Sequence, residues 1–362
     1  MSHHRVERLA EELRAAGVDA FFASSAVTMG YLHGLPEDGH ERFLTLAIQA
    51  NGACELICPA LTENQARRAG IQTVRTWVDG DDPLGLLDDL SNRWNLRSGI
   101  LAVDDTMPAA MLLRMQGVLP AALFQPGQPV LSRLMAKKDP GEIELMLRAA
   151  RIADDAVQAG IDAIHPGATE IQVQAALRKA MESAGGAPTF TIVGAGAMGA
   201  EPHHETGHVV ITDGDLVVMD FGCDYKGYQS DITRTVCCGK ASEEAHQVYD
   251  IVLRAHHAAR LAIAPGIACQ DVDLAARSVI EDAGYGPRFI HRVGHGIGMR
   301  LHEEPYMAPG NDRLLEAGNC FSIEPGIYLA GKLGVRIENI VTCTENGHRS
   351  LNAEPPDVLL EV

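Results

Sequence analysis

The stretch MDFGCDYKGYQSDITRT, residues 219–235, carries two aspartates 11 positions apart, Asp220 and Asp231, in a β-like segment. Folding the chain back at Tyr225-Lys226 makes an antiparallel hairpin whose partner numbers add to 451. Asp220 and Asp231 then face each other across the strands, within reach of one ion. The same construction holds for Glu324 and Glu338, whose numbers add to 662 and centre a turn on Gly331. Like charges opposed in this way repel, so two such pairs ask for a compensating cation. A nitrogen donor is at hand in Gly294-His295-Gly296-Ile297-Gly298, where glycines let the backbone come close to a site. Taken singly, a strand carboxylate is usually a turn cap or a solvated group, and a lone histidine a satisfied one. Four acids and a histidine in one half of the chain are better explained together.

The chain around them has 362 residues, with 30 Lys+Arg against 48 Asp+Glu, a formal net charge of −18. This length and a hydrophobic content of 46% suit two globular domains. A pI near 5.2 excludes a nucleic-acid binder, which needs a basic face to displace counterions. No apolar run approaches the roughly 18 residues of a membrane span. The charged start MSHHRVERLAEEL lacks the apolar stretch of a secretory leader. Eight cysteines occur without a C-x-x-C, a scatter suited to free thiols in a reducing compartment. These features predict a soluble, cytoplasmic protein with no nucleic-acid or membrane partner.

Elements alternate through the first 130 residues. A helix is expected over Arg5–Ala16, stopped by Gly17, followed by strands at Val18–Ser24, Phe43–Ile48, Cys54–Cys58, Thr73–Val78 and Ile100–Val103. Asn51-Gly52 marks the turn between the second and third of these strands. Past a linker, Asp139 and Pro140 start a helix whose face of Ile143, Met146, Leu147, Ala150, Val157, Ile161 and Ile164 runs to Pro166-Gly167. Further helices are expected at Thr169–Ser183, Ser242–Ala264 and Gln270–Ala283, and strands at Thr189–Val193, Asp215–Val236, Cys320–Leu329 and Gly334–Thr344. The domain boundary falls near residue 130. Gly194-Ala195-Gly196-Ala197-Met198-Gly199 matches a dinucleotide fingerprint, the only support for a nicotinamide-dependent dehydrogenase. The Pro202, His203, His204 and Gly207 that follow are poor material for the helix that site needs. The reading here is a flexible loop of small residues.

At spacings of 11, 64, 29 and 14, Asp220, Asp231, His295, Glu324 and Glu338 resemble the five metal ligands of the "pita-bread" metallopeptidases. That family includes methionine aminopeptidase, aminopeptidase P, prolidase and creatinase. MDFGCDYKGYQSDITRT, HRVGHGIGMRLHEEP, SIEPGIYL and GVRIEN carry the likeness. Gly30-Tyr31-Leu32-His33-Gly34 and the LTLAI strand extend it to a creatinase-type N-terminal domain, which methionine aminopeptidases lack. The resemblance implies an α/β (α+β) chain with a creatinase-like N-terminal domain over residues 1–130 and a pita-bread catalytic domain over 131–362. It also implies two divalent ions, bridged by Asp231 and Glu338, with Asp220 completing one and His295 and Glu324 the other. Four carboxylates and one imidazole form a hard donor set that suits Mn²⁺ best and accommodates Co²⁺, Fe²⁺ or Zn²⁺. Two such ions generate a nucleophile from a bridging water near neutral pH and polarise a scissile carbonyl.

By the same resemblance, Glu324 moves the water's proton toward the leaving nitrogen, His203 contacts substrate, and His291 and His302 line the site and steady the tetrahedral intermediate. His204 is a bystander, and His208, His256 and His257 have no such match. Arg336 alternates onto the strand face of Glu338 and either holds the ligand carboxylates or forms a purely structural ion pair. The resemblance implies a small peptide substrate with proline at the second position, cleaved with the proline trans. A proline nitrogen in a peptide bond has no N–H, which defeats peptidases that need that donor. A dipeptidase must also read a free carboxylate, most simply with an arginine. In the polar loop Glu37-Asp38-Gly39-His40-Glu41-Arg42, Arg42 is the candidate. The leading expectation is an Xaa-Pro dipeptidase (prolidase), with aminopeptidase P next and a creatinase-like amidinohydrolase third. Five intact donors stand against a ligand-free binding module, and family likeness suggests a homodimer.

Overall fold

The computed structural model describes residues 2–362. The chain forms two compact units, one ending at Met135 and the other spanning Ala136–Val362. In the first unit, strands β1 (Ala20–Ala23), β2 (Thr45–Gln49), β3 (Cys54–Pro59), β4 (Val74–Trp77), β5 (Ile100–Val103) and β6 (Leu123–Pro126) form one mixed sheet in the order β4-β3-β2-β1-β5-β6. Val18–Ser24 contracts to four strand residues, all buried. The β2–β3 hairpin turns at Asn51-Gly52 as expected, with Gly52 at φ 91° and the Asn51 side chain accepting from the Ala53 N–H. Helices at Leu84–Arg93 and Ala109–Val118 bring Leu87, Leu90, Met111 and Met115 onto a core shared with Phe22, Ala47, Ile57 and Leu101.

The second unit opens with a 23-residue helix, Pro140–Asp162, started by a complete capping box between Asp139 and Glu142. Of the expected face, Met146, Leu147 and Ala150 are buried and Val157 and Ile161 half-buried, while Ile152, Ala153, Ala156 and Gly160 add a buried row beside it. At Gly160 a Cβ would stand 2.7 Å from Leu177 and 2.8 Å from Met219. The helix therefore presses directly on the strand that carries Asp220.

That strand, β8 (Leu216–Tyr225), lies between β7 (Ala187–Ala195) and β10 (Ile232–Cys237), with the two-residue β9 (Tyr228–Gln229) extending the hairpin. The second sheet of this unit is made of β11 (Gly294–Gly296), β12 (Glu303–Met307), β13 (Cys320–Ile323), β16 (Asn339–Thr344) and β17 (Gly347–Ser350), and β14 (Gly326–Leu329) and β15 (Leu333–Arg336) form a separate two-stranded ribbon. The antiparallel pair Thr233 and Glu338 joins the sheets. Helices Glu243–Leu261 and Cys269–Asp282 cover a core containing Phe321, Ile323, Val335 and Val341.

Two registers test the hairpin construction. Gly326↔Arg336 through Leu329↔Leu333 add to 662, as do Cys320↔Thr342 through Ile323↔Asn339, so Glu324 and Glu338 sit opposite each other where the ladder breaks. The Asp220 hairpin is different. Its pairs add to 453, from Tyr225↔Tyr228 to Cys237↔Leu216, and Asp220 faces Thr233 rather than Asp231. The turn is Lys226-Gly227, with φ 54° and 87° at its two central residues, the left-handed pair that matches strand twist. A shift of two keeps every side chain on its face, so both aspartates still point to one side.

The glycine run at 194–199 also departs from expectation. Gly194 lies within β7, which ends at Ala195, and Gly196–Ala200 is a short 3₁₀ turn whose Gly196 and Gly199 are buried. A Cβ on Gly334 of β15 would collide with the Gly199 carbonyl oxygen. The run is a packed backbone contact, not a flexible loop. Replacing Gly334 by Ala should cost at least about 2 kcal/mol, the scale of overpacking against an unyielding wall. Gly207, whose Cβ would have 3.9 Å of clearance, should tolerate Ala within about 0.5 kcal/mol. Thermal unfolding of the two variants compares them directly, and equal losses would contradict the close packing.

Candidate metal centre

Three of the four acids stand where regular strand pairing stops. Asp231 follows β9, Glu324 follows β13, and Glu338 lies between β15 and β16. Each break frees the backbone to turn a carboxylate inward, while the flanking ladders fix its place. Asp220 comes from the middle of β8, and His295 from the centre of β11. A Cβ on Gly294 would collide with the Ser322 carbonyl, and one on Gly296 with that of Glu304. Only glycine on both sides lets the His295 strand approach its neighbours this closely.

The donors converge. Asp231, His295 and Glu338 are buried and offer ligand atoms all within 4.8 Å of one another. His295 Nε2 lies 3.3 Å from Glu324 Oε1 and 3.6 Å from Asp231 Oδ2. Its Nδ1 lies 3.1 Å from the Gly296 carbonyl, which as acceptor leaves Nε2 free to donate its lone pair inward. Arg336 Nη2 binds Asp220 Oδ2 at 2.5 Å, its Nη1 donates to Tyr328 Oη at 2.9 Å, and its Nε donates to Thr233 Oγ1 at 3.1 Å. Thr233 in turn donates to Glu338 Oε2 at 2.7 Å, and Ser322 Oγ to Glu324 Oε1 at 2.9 Å. One guanidinium thus meets four carboxylates. Asp220 Oδ1, Asp231 Oδ1 and Glu338 Oε1 are buried without any hydrogen-bond partner among the described residues. Orphaned buried acceptors of one sign are costly unless cations occupy the space between them, and the donor chemistry fits divalent ions.

Electrostatics record the same strain. Burial, reinforced by the charges of Glu338, Asp220 and Glu324, raises the Asp231 carboxyl well above the usual range. Glu338 is raised well above it by burial and by Glu324 and Asp220. Burial pushes Glu324 up to about 7, against the opposing pull of Arg336. Burial holds His295 down to about 3 and His291 to about 4, so both rings are neutral.

The remaining site residues of the sequence reading separate. His302 is exposed and its ring centroid lies 4.0 Å from that of His295. The segment carrying it is anchored by a buried ion pair between Lys138 and Glu303 at 2.5 Å. His291 shares Tyr328 Oη with Arg336, its Nε2 at 2.9 Å. His203 is exposed, in the turn that follows the 3₁₀ segment Gly196–Ala200. Its neighbour His204 contacts the buried Glu170 carboxylate at 2.8 Å and is structural. Arg42 belongs to the first unit, where Asp79 at 3.2 Å and Glu41 at 2.9 Å engage its guanidinium. Thr233, Ser322 and Tyr328 escaped the sequence reading. The first two stand two residues from Asp231 and Glu324, so strand alternation was their one available signal.

Comparison with known proteins places the chain in a family. Residues 144–345 match metallopeptidase family M24, and residues 5–134 match the creatinase/prolidase N-terminal domain. The probable dipeptidase PepE of Mycobacterium tuberculosis is 40% identical, over 96% of this chain and 94% of its own. The Xaa-Pro dipeptidase of Lactobacillus helveticus is 34% identical over 98% of both chains. A crystal structure of prolidase from Thermococcus sibiricus superposes with a TM-score of 0.94 at 34% identity, covering 100% of this chain and 99% of that one. The chain belongs to metallopeptidase family M24 and is a metal-dependent peptidase, as its motifs suggested.

Ions entering this centre must displace the protons that the raised carboxyls hold. Binding should therefore release protons around pH 6–7 and tighten as pH rises, because the protonated fraction of Glu324, with its pKa of about 7, falls through that range. His295 is already neutral there and does not compete. Calorimetric titration of Mn²⁺ in buffers of different ionisation enthalpy measures the release, which should shrink in Glu324→Gln. Affinity independent of pH would contradict the assignment.

Proposed function

We propose that this protein is an Xaa-Pro dipeptidase that hydrolyses the bond before a trans proline in small peptides, using two divalent ions held by Asp220, Asp231, His295, Glu324 and Glu338. The observation that carries this reading is the buried set of unpartnered carboxylate oxygens beside three histidines. Full-length similarity to proteins named Xaa-Pro dipeptidase and prolidase supports the substrate class. The oxygen-rich donor set favours Mn²⁺. Eight unpaired cysteines support a reducing, cytoplasmic setting, and family likeness supports a homodimer.

When bound, the two ions supply Lewis acidity that polarises the scissile carbonyl and acidifies water. The chain's own groups do the rest. Glu324, oriented by Ser322, accepts the proton of the attacking water and delivers it to the proline nitrogen. That delivery matters because the departing amine has no N–H until it is protonated. His302, its ring beside that of His295, donates a hydrogen bond to charge developing on the carbonyl oxygen. His203 completes the substrate-facing side. Arg336 holds Asp220 in place and, through Tyr328, fixes the ring of His291.

With Mn²⁺ restored to stripped protein, Ala-Pro should be cleaved at least about 10-fold more efficiently than Ala-Pro-Gly. Glu324→Gln should lower kcat by about 10²–10⁴-fold, the range of a lost general base. Steady-state kinetics on the two substrates decide the matter. Preference for the tripeptide would make the protein an aminopeptidase, and metal-independent cleavage would remove the centre from the mechanism.

A further inference from the structure

A dipeptide differs from every longer substrate by a free carboxylate one residue past the scissile bond. Two arginines neighbour the ligands in sequence, Arg336 two residues before Glu338 and Arg292 three before His295. They are placed very differently. Arg336 is committed to Asp220, Tyr328 and Thr233. Arg292 is half-buried and forms no ion pair with a carboxylate among the described residues. Its guanidinium sits over the ring of Tyr306, with Cζ 4.3 Å from the centroid, and Tyr306 is the cross-strand partner of His295. The main chain of Arg292 is fixed as well, because its carbonyl lies 2.7 Å from His291 Nδ1 and accepts from it.

Stacked on the residue opposite His295, this guanidinium stands at the edge of the centre. A guanidinium held on an aromatic face, at the margin of a reaction centre and without an acid of its own, presents its fork of N–H donors to a planar anion. Arg42, the arginine suggested by sequence for this task, is already neutralised by Asp79 and Glu41. We propose that Arg292 receives the free carboxylate of the dipeptide and so sets the preference for dipeptides over longer or capped chains, resting on the Xaa-Pro reading above.

The test uses Mn²⁺-loaded wild type, R292M, R292K and R42A on Ala-Pro and on its amide, which differ only in the terminal charge. Wild type should favour the acid. In R292M, kcat/KM for the acid should fall about 10–100-fold, mainly through KM, as expected for a lost charge-assisted contact. The amide should stay within about threefold of wild type by the same logic. The acid-to-amide ratio is the diagnostic quantity. R292K should keep part of that ratio, and it carries the test if R292M does not fold. Calorimetry gives a readout without turnover: L-proline should bind wild type more tightly than L-prolinamide, and R292M should bind them alike. An unchanged ratio in R292M, equal losses on both substrates, or a collapse in R42A instead would overturn the assignment to Arg292 while leaving the peptidase intact. Wild type inactive on both substrates would overturn the Xaa-Pro reading and this proposal with it.

Discussion

Four carboxylates brought into one buried space by strands that meet around them, with one guanidinium between them, is the constraint that organises the catalytic unit. Ionised carboxylates at such distances repel in a medium that screens poorly. The folded chain meets that cost in three ways visible in the structure. Arg336 pairs with Asp220, hydroxyls of Thr233 and Ser322 hold one oxygen each of Glu338 and Glu324, and burial raises the Asp231, Glu324 and Glu338 carboxyls toward their neutral forms. Three oxygens remain without partners. Divalent ions resolve this remainder, and their Lewis acidity then becomes available for hydrolysis.

The hydroxyl tethers show how much of the site is indirect. Thr233 accepts from Arg336 Nε and donates to Glu338, and its backbone also pairs with Glu338. A single residue therefore couples the cation, a carboxylate and the contact between sheets. Tyr328 joins Arg336 to His291 in the same manner. The glycines flanking His295 serve the centre through space rather than chemistry, since any side chain there would push neighbouring strands away.

Much of this was legible in the sequence, and the exceptions are instructive. Glu324 and Glu338 could be paired by arithmetic because an odd loop centred on Gly331, at φ 73°, keeps one register across the break. Asp220 and Asp231 were paired two residues out, because Lys226 adopts a left-handed φ that side-chain-bearing residues seldom take. Parity survived the slip, so both aspartates still point to one side. The glycines at 194–199 resembled a ligand loop since composition alone does not distinguish closeness to a phosphate from closeness to another strand. Thr233, Ser322 and Tyr328 carry no charge and match no motif, and their roles depend on contacts between residues as far as 105 positions apart. No local pattern reports that.

Anomalous diffraction from crystals of the manganese-loaded protein tests the central claim most directly. Two peaks per chain, both touching Asp231 and Glu338, with Asp220 on one and His295 and Glu324 on the other, would be the predicted result. An empty cluster in active protein, or an ion bound elsewhere while Asp220 Oδ1, Asp231 Oδ1 and Glu338 Oε1 stay without partners, would contradict the account.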